Sequence, residues 1–247
     1  MFVAASTGSF ADVPFDEACR QLVDLEYDRV ELWMSEAGEH LKPSTVAADP
    51  ERFYAHYREL TRLTPVAICL EDEVDRDAFA EIARLAKLFR ITQITLPAGP
   101  LGTPFNSAID RLRTMLAVAN ENGIRLSIKT RIGHLTEDPH TAVELCQAVR
   151  GLGLTLDPSH YMCGPHRDRP YDQVFPHVYH VHLRDSTGDS VQVPVGLGEI
   201  DYSRLIAQLR RQGYEQALSV DLIADRLEPN TRPLEMRKLR MLLETLI

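Results

Sequence analysis

The sequence predicts a single (β/α)8 barrel, the TIM-barrel architecture, over residues 1–247, and three observations carry that prediction. Eight short β-rich runs alternate with longer helical patterns along the chain. Eight repeats sharing 247 residues take about 31 each, the size of one strand–helix unit. Most of the runs are nearly continuous apolar stretches bounded by Gly, Pro or charge, as in parallel strands covered on both faces.

The runs are FVAAST (2–7), RVELW (29–33), VAICLE (66–71), ITQITLP (91–97), IRLSIK (124–129), LGLTLD (152–157), VYHVHL (178–183) and ALSVDL (217–222). Between them, Phe15, Ala18, Cys19, Leu22 and Val23 follow helical spacing and set one stripe toward a core. Phe79, Ile82, Ala83 and Ala86 repeat the pattern, as do Leu205, Ile206 and Leu209; the final segment brings Leu239, Leu242, Leu243 and Leu246 to one side. Consecutive parallel strands need right-handed helical crossovers, and eight such units close without an exposed edge. The alternative, a doubly wound open sheet, wants a Gly-rich phosphate turn after an early strand. The one early candidate, STGSF (6–10), lacks the GxGxxG spacing. No Gly/Ser-rich linker or charge block interrupts the series, so one domain is expected.

Composition narrows the function classes. Hydrophobic residues make up 44% and charged residues 26%, as in ordinary globular proteins. Lys plus Arg number 27 against 36 Asp plus Glu, a net charge of −9, which argues against a nucleic-acid or anionic-membrane binder. No apolar run approaches the ~20 residues that span a bilayer. The start, MFVAASTGSF, lacks a basic region, so no signal peptide is expected. Cys19, Cys69, Cys146 and Cys163 form no CxxC pair and read as reduced, buried residues of a cytoplasmic protein.

Barrel chemistry sits at the C-terminal ends of the strands. Those ends carry Glu31 and Trp33, then Lys129 and Arg131, then Asp157 followed by His160, then His180, His182, Arg184 and Asp185, and finally Asp221. A strand-terminal Asp often caps the next helix, and alternation along the strand is expected to turn one histidine of HVH toward the helices. The coincidence of Asp157, His182 and Asp221 on three neighbouring strands goes further, because carboxylate and imidazole are the ligands a divalent cation wants.

The tracts VELW, SIKTRIGHLTEDP, GLTLDPSHY, HVHLRDS and VGLGEIDYSRLIAQLRRQGYEQALSVDL occur in the order in which the chain resembles the xylose-isomerase-like barrel superfamily. That superfamily includes sugar isomerases and epimerases, inosose dehydratases and AP-endonuclease relatives. The resemblance implies a divalent metal (Mn, Mg or Zn) held by a Glu, an Asp, a His and a Glu on the fifth to eighth strands. It assigns Asp157, His182 and Asp221 to the last three positions, with His160 as the companion of Asp157. The fifth-strand position departs from it: where the relatives carry Glu and then His, this chain carries Lys129 and Arg131. The late glycine tract reads GLG rather than GEG.

Three readings of Lys129 follow. The metal stays on Asp157, His182 and Asp221, with Lys129 turned away. Or the Lys129 ammonium replaces the metal between Asp157 and Asp221. Or Lys129 has a lowered pKa and acts as a base or forms an imine with a ketone.

Arg131 and Arg184 could bind an anionic sugar derivative through their guanidinium forks, or pair with Glu137, Asp185 or another loop acid; Arg184 leans toward the second. Trp33 could stack on a sugar ring, and Glu31 could bind a hydroxyl or join the metal shell. The loop 34–44, with His40, and the segment 163–172 are long enough to reach over the mouth. His56 and His140 read as surface residues on helices. The leading expectation is a sugar or polyol isomerase or epimerase that removes a proton next to a carbonyl. Asp221 is its base, Lys129 or the metal its electrophile, and His160 orients a substrate oxygen. A dehydratase of the inosose type and a noncatalytic or metal-free sugar-binding barrel are the alternatives. DNA repair is disfavoured by the acidic charge. A homo-oligomer is compatible with the resemblance.

Overall fold

All eight predicted runs become strands, and their two-sided apolar character closes them on one another. The computed structural model describes residues 1–247. The strands are β1 (Phe2–Ser6), β2 (Arg29–Met34), β3 (Thr64–Leu70), β4 (Gln93–Leu96), β5 (Arg125–Lys129), β6 (Leu152–Leu156), β7 (Val178–Leu183) and β8 (Ala217–Val220). They form a closed parallel barrel in chain order. β8 pairs back onto β1, with Val3 opposite Leu218. The register shifts at Val30/Glu31 and Leu154/Thr155, just where polar residues turn inward; such bulges re-aim side chains near functional sites.

The crossovers are α1 (Phe15–Asp24), α2 (Pro43–Ala48), α3 (Pro50–Leu60), α4 (Arg76–Phe89), α5 (Phe105–Glu121), α6 (Pro139–Ala148), α7 (Pro158–Cys163), α8 (Tyr202–Arg211) and α9 (Arg232–Leu246). Local chemistry starts them: Pro43 and Pro50 open α2 and α3, and Asp49, Asp75, Asp138 and Asp201 accept backbone N–H groups at the starts of α3, α4, α6 and α8. The helical stripes bury as expected, Leu242 and Leu246 in part, with one clear exception. Val23, in the last turn of α1, is 50% exposed, while Phe15, Ala18, Cys19 and Leu22 are buried. No helix is long and apolar enough to cross a membrane.

The long loops differ from expectation in one respect. The 34–44 loop supplies Ala37 and Gly38 to the mouth cavity. The 163–172 segment instead borders a separate cavity of about 480 Å³ beside Tyr161 and α8. His40 is buried and pins its loop, with Nδ1 3.1 Å from the Val13 carbonyl and Nε2 3.1 Å from Thr7 Oγ1. His56 is half-exposed on α3, 3.0 Å from Asp16, and His140 is exposed on α6.

Candidate active site

Side chains two residues apart on a strand share a face, so the polar residues inside the barrel stack in layers. The lowest is a hydroxyl layer. Thr155 lies 2.7 Å from Thr95 and 2.6 Å from Ser127, and Gln93 donates to Ser127 at 2.7 Å. Mutual bonding is what lets these groups stay in the core without water.

Above it lies a fully buried Glu31. Its oxygens accept from Ser219 (2.6 Å), His182 Nε2 (2.8 Å) and His180 Nε2 (3.1 Å). Both histidines of HVH therefore point inward, and His180 does not face the helices as expected. Two positions along a strand is a full pleat, which returns the side chain to the same face. Burial works against the Glu31 carboxylate, but His182 and His180 more than offset it and hold it ionised. With no exposed atom and both oxygens engaged, Glu31 has nothing left for a substrate hydroxyl, contrary to the expectation for it.

The top layer is the mouth. Arg184, on the face of His182 and 2% exposed, turns its guanidinium between two acids. One terminal nitrogen lies 2.7 Å from Asp221 Oδ2 and 2.9 Å from Asp157 Oδ2. Nε donates to the Asp221 carbonyl at 2.8 Å. The expected pairing of Arg184 with a loop acid does not occur. Asp185 accepts instead from the Gly196 and Gly198 amides at 2.8 and 3.0 Å. A Cβ at Gly198 would stand 1.9 Å from the Asp185 carboxylate, which explains a glycine at that point of the GLG tract.

Lys129 lies 3.2 Å from Asp221 and 3.9 Å from Glu71. It does not bridge Asp157 and Asp221; Arg184 does. Burial opposes the ammonium, but Asp221 and Glu71 outweigh burial and hold its pKa above the ordinary lysine value. The reading of a lowered lysine pKa, and with it a neutral amine poised for imine formation, is thereby corrected.

Glu71 itself was not among the residues singled out. It follows β3 on the face of Cys69, and pairs with Arg131 while accepting from Trp33 Nε1 at 3.2 Å. Its signal was legible: VAICLE ends on an acid at a strand terminus.

His160 lies across from these residues. Ile132 N–H donates to its Nδ1 at 3.3 Å, which leaves the proton on Nε2, 3.6 Å from Asp157 Oδ2. Burial lowers its pKa to about 4, more than the nearby Asp157 raises it, so His160 is neutral at neutral pH. His182 is the opposite case. Burial works against its charge, but Glu31 and Asp221 flank its two nitrogens and raise it to about 9. Asp221 and Asp157 both sit below the ordinary carboxylate range. In each, burial is outweighed by cations, led by Lys129 at Asp221 and by Arg184 at Asp157.

These groups surround a cavity of about 390 Å³ lined by Trp33, Glu71, Lys129, Arg131, His160, Arg184 and Asp221. Asp157 and His182 form the layer beneath. All four strand ends that carry Lys129, Asp157, His182 and Asp221 therefore converge.

A divalent ion held by Asp157, His182 and Asp221 does not fit this arrangement. It needs ligands at about 2.0–2.2 Å with free lone pairs. A guanidinium nitrogen already stands between the two acids, 2.7 Å from Asp221 Oδ2 and 2.9 Å from Asp157 Oδ2, where such an ion would sit. A second donor group lies beside it: Glu31, Cys69 and His182 each offer one ligand atom, all within 4.8 Å of one another. An ion there would have to displace the bonds that His182, His180 and Ser219 make to Glu31.

The family model for the xylose isomerase-like TIM barrel matches residues 19–245. The chain belongs to that family. Among solved structures, this xylose isomerase-like barrel is similar to the probable 3-DHS dehydratase AsbF of Bacillus anthracis, at 17% identity and TM-score 0.74, covering 99% of each chain. It is also similar to a xylose isomerase-like TIM barrel protein of Mycobacterium smegmatis in complex with magnesium, at 18% identity and TM-score 0.74, covering 98% of this chain and 97% of the other. A D-allulose 3-epimerase of a Methylomonas species in complex with D-allulose aligns at 12% identity and TM-score 0.75, over 100% of this chain and 97% of the other. At these identities the likeness is one of fold. No curated protein matches the sequence.

Proposed function

We propose that the protein is an enzyme of the sugar or polyol isomerase and epimerase type, which removes a proton from a carbon next to a carbonyl. The observation that carries this reading is the pair of carboxylates, Asp221 and Glu71, on either side of the Lys129 ammonium in the mouth cavity. A fixed cation beside the substrate oxygen stabilises the enediolate as charge develops, and a carboxylate within reach of the adjacent carbon takes the proton. The epimerase and dehydratase neighbours support the reaction class.

In this reading Lys129 binds the substrate carbonyl oxygen. Asp221 is the base, and Glu71 stands where a proton could be returned. Neutral His160 donates its Nε2–H to a second substrate oxygen, Trp33 covers the ring, and Arg131 meets an anionic group at the rim. The magnesium-bound neighbour supports a divalent ion in the barrel, for which Glu31, Cys69 and His182 are the clustered donors once their present hydrogen bonds give way. Dehydration begins with the same proton removal, and the AsbF likeness favours it as the second reading.

The test is incubation with a panel of ketoses, polyol-derived ketones and their acids in deuterium oxide. Deuterium appearing next to a carbonyl supports the proposal, and additional loss of water points to the dehydratase. A panel with no exchange and no product rejects it.

A further inference from the structure

We propose that Arg184 is a built-in cation, occupying the place between Asp157 and Asp221 that a divalent ion would otherwise take, and that its removal uncovers a latent divalent-ion site. The inference rests on three features of the geometry.

First, the donors are aimed. Asp157 Oδ1 is committed to the Ser159 amide at 3.1 Å as the cap of α7, and Oδ2 is left facing Arg184 at 2.9 Å, with His160 Nε2 farther off at 3.6 Å. Asp221 turns Oδ2 to the same nitrogen at 2.7 Å. His182 Nδ1 stands 3.2 Å from that oxygen. Two carboxylate oxygens and an imidazole nitrogen converging at one point, on three adjacent strands, are the makings of an ion site.

Second, the occupant is held by its own bonds. The Arg184 side chain is 3% exposed, and Nε is fixed on the Asp221 carbonyl at 2.8 Å. A planar fork that hydrogen-bonds the main-chain oxygen and the carboxylate of Asp221, with Asp157 Oδ2 2.9 Å away, has little freedom to swing aside. An ion entering between the acids would meet it at contact distance.

Third, the charges close without an ion. The negative Asp157, Asp221 and Glu71 face the positive Arg184, Lys129 and Arg131 across the mouth. A divalent ion added to this set would leave a buried excess of positive charge, which a low-dielectric interior disfavours.

The consequence is an electrophilic mouth that cannot lose its cation. The inference does not depend on the reaction proposed above, because the test reads ion uptake rather than turnover. Mn2+ is titrated by calorimetry and electron paramagnetic resonance into the wild-type chain, Arg184→Met, and Lys129→Glu/Arg184→Met. Each is repeated with Asp157→Asn added, because ions held at Glu31, Cys69 and His182 are unaffected by that change. The wild type is expected to show no Mn2+ uptake that Asp157→Asn removes. Arg184→Met is expected to gain such uptake, and the double variant to bind about tenfold more tightly for its extra carboxylate. If Arg184→Met fails to fold alone, Mn2+ is expected to recover it, since an ion that binds only the fold stabilises it. Asp157-dependent uptake by the wild type overturns the proposal. So does a folded variant that takes up no Mn2+, or an unfolded one that Mn2+ does not recover.

Discussion

Arg184 and Asp221 hold each other twice, through side chain at 2.7 Å and through the Asp221 backbone carbonyl at 2.8 Å. That double grip fixes the direction of the carboxylate proposed as the base. It also joins the ends of β7 and β8, which carry the two residues. Removing the guanidinium leaves Asp157 buried without its main counterion and takes one of its cations from Asp221. Arg184→Met is therefore expected to cost about 3–5 kcal/mol of stability, the usual penalty for breaking a buried pair from one side. Urea unfolding of the ion-free variant measures it, and a loss below about 1 kcal/mol, the size of a surface pair, would show that the two acids do not depend on Arg184.

Proton removal separates the two carboxylates. Asp221→Asn is expected to abolish solvent deuterium exchange while leaving the circular dichroism spectrum of the barrel unchanged. Glu71→Gln is expected to retain exchange at one carbon and to slow formation of the final product. Full exchange and turnover in Asp221→Asn would assign the base elsewhere.

The two buried histidines predict stability losses at opposite ends of the pH scale. His160 has a folded pKa of about 4, below its ordinary value of 6.5, so its contribution is complete above 6.5 and is lost as pH falls from 6.5 toward 4. His182 has a folded pKa of about 9, so its contribution is complete below 6.5 and is lost as pH rises through 9. Chemical unfolding across both windows is expected to show stability falling on each side of about 6.5, with the acid-side loss reduced in His160→Asn. An unchanged acid limb in that variant would remove His160 from the account.

Gly8 and Trp33 make a local prediction. A Cβ at Gly8 would stand 2.6 Å from Trp33 Cγ, and both residues line the cavity. Gly8→Ala is expected to displace the indole and lengthen its bond to Glu71. The readout is a shift in the emission of this sole tryptophan, with KM raised more than kcat is lowered. An emission spectrum identical to wild type would show that the indole does not depend on the bare backbone at Gly8.

The hydroxyl layer should matter to stability and not to the mouth. Thr155→Val removes the oxygen shared by Thr95 and Ser127, and leaving buried hydroxyls short of a partner costs about 1–3 kcal/mol. Unfolding midpoints measure this loss, and an unchanged midpoint would mean the neighbours re-pair among themselves.

The amino-acid sequence by itself determined the barrel. Its strands are apolar runs of the right length, its helices carry stripes and Asp caps, and those signals are local, because a residue's neighbours along the chain are its neighbours in the element. It also determined which strand ends carry chemistry, since Lys129, Asp157, His182 and Asp221 each stand at the C-terminal end of a run. Which charge meets which was decided only by the tertiary structure. Arg184 could have reached a loop acid, Lys129 could have bridged Asp157 and Asp221, and Glu31 could have opened to the cavity. Closure of the barrel instead set β7 between β6 and β8, so that Arg184 is the cation nearest both acids. It sank Glu31 beneath two histidines and brought Glu71 across from Lys129. Long, flexible charged side chains choose partners by distance through space, and distances across a barrel are not written in spacing along the chain.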